Sequence, residues 1–151
     1  MNKELNKELM TIAEEVLQSA DCPLYKEPGV IHESYNGQVS ALGVSVLMIG
    51  LKATLAVYYS DTPKKEPKEK PKEEPKEEPK KENKAEYYDK AYRKLLLDVI
   101  VKMINRKYDT GYANTTEFVR AVMSNDNEEL KTRVINCSVA LKQVIRTYKM
   151  N

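Results

Sequence analysis

A chain of 151 residues carrying 25 Lys and Arg against 23 Asp and Glu is sized for one domain and nearly electroneutral. That balance excludes a free-standing, strongly basic nucleic-acid binder and leaves room only for a local basic face. Two distant cysteines, Cys22 and Cys137, and the single histidine, His32, cannot build a zinc site of ordinary ligand spacing.

In chain order, Leu5, Leu9, Ile12, Ala13, Val16, Leu17 and Ala20 recur at helical spacing, which predicts an amphipathic helix over 3–20. Its other face carries Lys3, Glu4, Lys7, Glu8, Glu14 and Glu15, and Cys22-Pro23 ends it. A charged start of this kind is not the apolar core of a signal peptide. With two thiols expected to be reduced and buried, it points to a cytoplasmic protein. Residues 21–34 read as a connection punctuated by Pro23, Pro28 and Gly29.

From Ser34 to Ile49 the chain is densely apolar, and its length and small residues favour a buried helix over a buried strand. Gly50 is the expected helix stop, in the left-handed conformation that suits glycine. A short helix over Leu51–Tyr59 follows, with Leu51, Leu55, Tyr58 and Tyr59 turned inward. The stretch Val39–Tyr59 is long enough to suggest a membrane span, but Lys52 near its middle would cost about 2.5–3.5 kcal/mol there. Gly43 and Gly50 also interrupt it, so a pair of buried helices is expected and no membrane contact.

Residues 61–84 contain no apolar side chain, and proline recurs at 63, 67, 71, 75 and 79 among Lys and Glu. Proline removes helical hydrogen bonds and nothing here can enter a core, so a disordered charged linker is expected. At the polyproline rise of about 3.1 Å per residue, such a segment would reach about 75 Å.

A helical stripe returns from Ala85 to about Tyr108, through Tyr88, Ala91, Tyr92, Leu95, Leu96, Val99, Ile100, Met103 and Ile104. Asp109-Thr110-Gly111 breaks it. Thr115 or Thr116 can cap a short helix holding Phe118, Val119, Val122 and Met123. Ser124-Asn125-Asp126-Asn127 offers several cap candidates, Asp126 and Glu129 having capping-box spacing, ahead of a last helix whose inner face is Leu130, Val134, Cys137, Leu141, Val144, Ile145 and Tyr148. The expectation is an all-α fold: one compact bundle of five to seven helices with no convincing strand. Residues 1–60 and 85–151 would share that bundle, joined by the 61–84 linker.

No catalytic constellation can be assembled. His32 has no motif around it, and no phosphate-cradling glycine loop or nucleophile elbow is present. Neither enzymatic activity, nor a metal, nor a cofactor is therefore expected. Ten tyrosines against one phenylalanine and no tryptophan are expected to rim the core, with base stacking by one or two as the sharper alternative. The positive functional hint is basic. Lys142, Arg146 and Lys149 fall at offsets of four and three on the last helix, and Lys90, Arg93 and Lys94 cluster after the linker. Such stripes are commonly a solvated face; the sharper reading is a shallow phosphate-tracking surface that acts when copies are arrayed.

The run Tyr35-Asn36-Gly37-Gln38, then Ser40-Ala41-Leu42-Gly43, and finally Ile49-Gly50-Leu51-Lys52-Ala53-Thr54-Leu55-Ala56-Val57-Tyr58-Tyr59 resembles a stretch of the small subunit of the type III-B CRISPR Cmr effector complex. There a helix ends at a Gly-Leu pair and a short Leu/Ala-rich helix follows. The helix order outside this stretch also fits, over residues 3–60 and 88–149. Two features depart from the family pattern. The last helix reads Val144-Ile145-Arg146 where members often carry Trp followed by Lys-Arg, and the Lys/Glu/Pro linker is not a family requirement.

The resemblance implies a non-catalytic subunit that stacks in several copies beside the backbone subunits and helps form the groove for target RNA. Its partners would be other Cmr-type subunits, above all the backbone subunit, copies of itself, guide RNA and target RNA. The candidate RNA-contacting residues are then Lys52, Arg93, Lys94, Lys142, Arg146 and Lys149. The nearest alternatives are the small subunit of the related type III-A Csm complex and a stand-alone helical protein-interaction module. A small helical hydrolase would need a carboxylate or metal cluster that the sequence does not supply.

Overall fold

The computed structural model describes residues 1–63, 87–88, 90–125 and 127–151. Their element order is α1 (Lys3–Leu17), β1 (Tyr25–Glu27), β2 (Val30–Ile31), α2 (Ser34–Ile49), α3 (Leu51–Ser60), α4 (Arg93–Tyr108), α5 (Thr115–Ser124), α6 (Glu128–Ile145) and β3 (Lys149–Met150). The fold is a helical bundle with one continuous core, to which helices from both sides of the linker contribute. Most of the predicted linker, and with it the expectation of disorder, lies outside the described residues.

Helix α4 is the hub. Leu95, Leu96, Leu97, Val99, Ile100, Val101, Met103 and Ile104 are all buried, so it is apolar around most of its circumference. A helix of that kind must be surrounded, and α1, α2, α3, α5 and α6 all pack on it. Leu97 and Val101 fall outside the predicted stripe because the sequence pattern assumed a single buried face. The helix also starts at Arg93, later than the predicted Ala85.

α1 buries Leu9, Ala13, Val16 and Leu17 against α4 and α6 and ends at Leu17, leaving Ala20 exposed beyond it. Two ion pairs stitch its acidic face to α4, Arg106–Glu15 at 3.2 Å and Lys107–Glu8 at 2.7 Å, and Lys102–Asp21 at 3.2 Å adds a third from the turn that follows α1. All three are exposed enough that each is worth under about 1 kcal/mol. Their consequence is to neutralise this side of the molecule.

Gly50 divides α2 from α3 and ends α2 by donating its N–H to Val46 O at 3.0 Å. Its φ of 91° is positive as expected, but its ψ of 164° is extended and not left-handed helical. That region is essentially confined to glycine. It reverses the chain, so α3 runs back along α2, with Ser45 Oγ and Thr54 Oγ1 hydrogen-bonded at 2.7 Å and the Tyr58 hydroxyl donating to Gln38 O at 2.8 Å. Gly50→Ala is expected to cost about 1–3 kcal/mol. A lowered urea midpoint would bear that out, and an unchanged midpoint would contradict the role assigned to the reversal.

α2 is not buried all round. Tyr35, Val39, Leu42 and Val46, at offsets of four, three and four, form its core face, while Val44, Leu47, Met48 and Ile49 are exposed. The expected pair of buried helices is therefore a pair of half-buried ones, because the described residues place neighbours on one side of α2 only. Gly43 allows close approach to α6: a Cβ there would stand 3.2 Å from Ser138 Oγ.

Three short strands correct the expectation of none. β1 and β2 form an antiparallel hairpin around Gly29 (φ 78°), and β3 pairs with β2 in parallel, Val30 opposite Lys149 and Ile31 opposite Met150. Asn151 N donates to Ile31 O at 3.1 Å, and Glu33 N donates to Asn151 O at 3.1 Å. The end of the chain is thereby tied to the entry of α2. The cap of α5 differs from expectation: Asn114, not Thr115 or Thr116, accepts from Glu117 N at 2.9 Å, whereas α6 is capped by Asn127, one of the candidates in the 124–127 stretch, which accepts from Leu130 N at 2.8 Å. Thr115 is buried and donates instead to Asp98 Oδ1. The proposed cap Asp126 lies outside the described residues.

Candidate functional site

The fold decides which basic residues share a location. α2 and α6 run antiparallel, since Gly43 meets Ser138 while Glu33 meets Asn151. Lys142 and Arg146 on α6, and Lys149 on β3, therefore lie toward the end where α2 begins. The start of α4 reaches the same end: Tyr92 N donates to the Tyr35 hydroxyl at 3.1 Å, and Gln38 Nε2 donates to Ala91 O at 3.4 Å. Arg93 and Lys94 follow directly. Lys52 stands in the first turn of α3, beside the far end of α2, because the chain reverses at Gly50. Five of the six predicted contact residues thus gather at one end of the bundle, and Lys52 does not.

Their electrostatic states differ. Arg93 lies 3.5 Å from Asp61 Oδ2, with its guanidinium 5.8 Å from the centre of the Tyr58 ring. Lys94 pairs with Asp98 at 3.2 Å, one turn along α4. These two charges are largely spent inside the protein. Among the described residues, Lys142, Arg146, Lys149 and Lys52 have no acidic partner. Lys142 is half-buried and the other three are exposed. Lys142 stands in the last turn of α6, Arg146 is its C-cap, and β3 holds Lys149 in register with β2. Lys142, Arg146 and Lys149 are thus three cations close in sequence, without an acidic partner among the described residues, at the end of the bundle where α6 gives way to β3.

The tyrosines are mostly structural. Tyr35 is fully buried, and the hydroxyls of Tyr25 and Tyr58 donate to Leu17 O and Gln38 O at 2.7 and 2.8 Å. Tyr148 donates to Glu14 Oε2 at 3.2 Å and packs on Tyr25, which fixes the turn between α6 and β3. His32 is a packing residue: its Nε2 lies 2.7 Å from Tyr88 O and its ring meets the Tyr35 ring edge-on. Cys22 and Cys137 are free and buried, and burial pushes their thiols up to about 11 and about 12. Neither has the thiolate character a nucleophile needs. Among the described residues no group of three or more His, Cys, Asp or Glu is placed to hold a metal ion, and no helix is long and apolar enough to cross a membrane.

Sequence reasoning missed the exposed apolar side of α2. A helix without charge reads as buried, and only its neighbours reveal which side is left open. No protein-family model, curated protein or solved structure matches this chain.

Proposed function

We propose that this chain is a non-catalytic small subunit of an RNA-guided effector assembly of the type III-B Cmr kind, one of several copies lining the groove that holds target RNA. The uncompensated trio of Lys142, Arg146 and Lys149 carries the reading. Three cations on one chain supply weak phosphate attraction, and seven other basic side chains among the described residues are paired with acids. A useful grip on RNA then requires several copies in line, where each added contact acts at a high effective concentration. The sequence resemblance over residues 35–59 supplies the identity of the assembly, and the near-neutral charge supplies the reason that a single copy would be a poor binder.

Titration of the purified chain against a fluorescent single-stranded RNA tests this. The expected result is weak, steeply cooperative binding at low salt that fades as salt is raised. An isotherm that shows no binding at any concentration, or tight salt-insensitive binding by one copy, would overturn the reading.

A further inference from the structure

Seven large apolar side chains are exposed among the described residues, and five of them belong to two adjacent helices. Val44, Leu47, Met48 and Ile49 on α2 are 56%, 64%, 76% and 56% exposed, and Val57 on α3 is 51% exposed. Together they leave roughly 500 Å² of apolar surface open, at the upper end of what a monomer usually shows in its largest patch. Exposed Ala41, Ala53 and Ala56 extend it with small side chains that let another backbone approach. The remaining two, Met1 and Val139, stand singly on other elements.

Charge identifies the occupant. From Ser34 through Ser60 the only charged residue is Lys52, so no ion pair can orient a partner here, and a charged surface docked on it would lose hydration without compensation. The occupant must present an uncharged apolar face of similar extent. Within the described part of this protein that face exists once, and it is this one. A surface that matches only itself pairs about a twofold axis, the commonest arrangement of soluble oligomers.

We propose that α2 and α3 form the interface of a twofold dimer of this chain, with Leu47 and Met48 at its centre. A twofold contact closes on itself and does not propagate, so it is separate from the copy-by-copy stacking of the preceding section and independent of RNA. At roughly 500 Å² before its alanine margin, the face is smaller than the roughly 800 Å² per partner of a standard stable interface, which fits a dimer of modest affinity. Being apolar, with one like charge near its edge, it holds or tightens as salt is raised, opposite to the RNA contact.

Sedimentation equilibrium of the full chain, without RNA or other subunits, is the test. The expected result is a mass that doubles with a dissociation constant in the micromolar range, on the order of 10 μM. Leu47→Glu and Met48→Glu are each expected to give monomers throughout that range, with unchanged helical circular dichroism because both sites are exposed. Val139→Glu serves as the control and should still dimerise. A wild-type chain that stays monomeric at about 100 μM would overturn the proposal, and would indicate that another subunit covers the face. Oligomers that keep growing with concentration, or a dimer indifferent to both glutamate variants, would overturn it as well.

Discussion

Reversing Lys142, Arg146 and Lys149 to glutamate together is expected to lower the affinity of the chain for single-stranded RNA by roughly 100-fold at about 0.1 M salt. The magnitude follows from counterion release. Each phosphate contact to a single strand contributes about 0.7 to the slope of log K against log salt, so three lost contacts make the slope shallower by about two. The same reversal at Arg93 and Lys94 is expected to do much less, since Asp61 and Asp98 already hold those charges. It would act mainly through stability. Lys52→Glu, at the far end of α2, should leave RNA affinity nearly unchanged. Fluorescence anisotropy across a salt series separates these cases. Equal losses for all six residues would mean that general charge, and not the trio of Lys142, Arg146 and Lys149, attracts RNA.

The second large effect is alkaline unfolding. The Cys22 and Cys137 thiols are raised by burial from an ordinary value of 9.0 to about 11 and about 12, and burial also raises Tyr35 well above its usual range. In each case the folded state favours the neutral acid. The stabilisation is therefore complete below pH 9, where both states hold the proton, and is lost as pH rises from 9 toward the folded values. By pH 11 the two thiols alone account for a loss of about 5 kcal/mol, which is comparable to the whole stability of a small domain. Denaturant unfolding between pH 8 and 11 should show this decline, and the double replacement Cys22→Ala with Cys137→Ala should flatten it, starting from a lower stability at pH 8. A wild-type midpoint that stays constant to pH 11 would show the thiols to be less enclosed than the packing indicates.

Legibility in the sequence varied with the physics of each element. α1 and α6 bury one face and solvate the other, so three- and four-residue spacing identified their inner residues almost completely, Ser138 and Ala140 being the additions on α6. α2 and α4 are rich in apolar residues on several sides, where spacing says nothing about direction. The same ambiguity concealed Leu97 and Val101 inside α4 and the open face of α2. The strands of two or three residues were invisible: β3 finds its partner only across the length of the chain, through Asn151 and Ile31, and the β1–β2 hairpin is local but irregular, with a register shift between Tyr25 and Glu27. A segment that short has no periodicity of its own.

The candidate site divided in the same way. The expected helical row of Lys142, Arg146 and Lys149 is only partly formed, because α6 ends at Ile145 and the chain turns into β3, which carries Lys149. The neutralisation of Arg93 was not legible, because Asp61 stands 32 positions earlier and only the fold of α3 onto α4 brings it near. The location of Lys52 depended on the reversal at Gly50, whose effect on direction no local pattern encodes.

Recovery of the tagged chain at moderate salt from the cells that encode it, with identification of its protein and RNA companions, tests the proposed membership in an RNA-guided assembly. The result expected is several Cmr-type subunits together with a short guide RNA of uniform length. Recovery of the chain alone, or with unrelated proteins and no RNA, would contradict the claim and leave a helical protein-interaction module in its place.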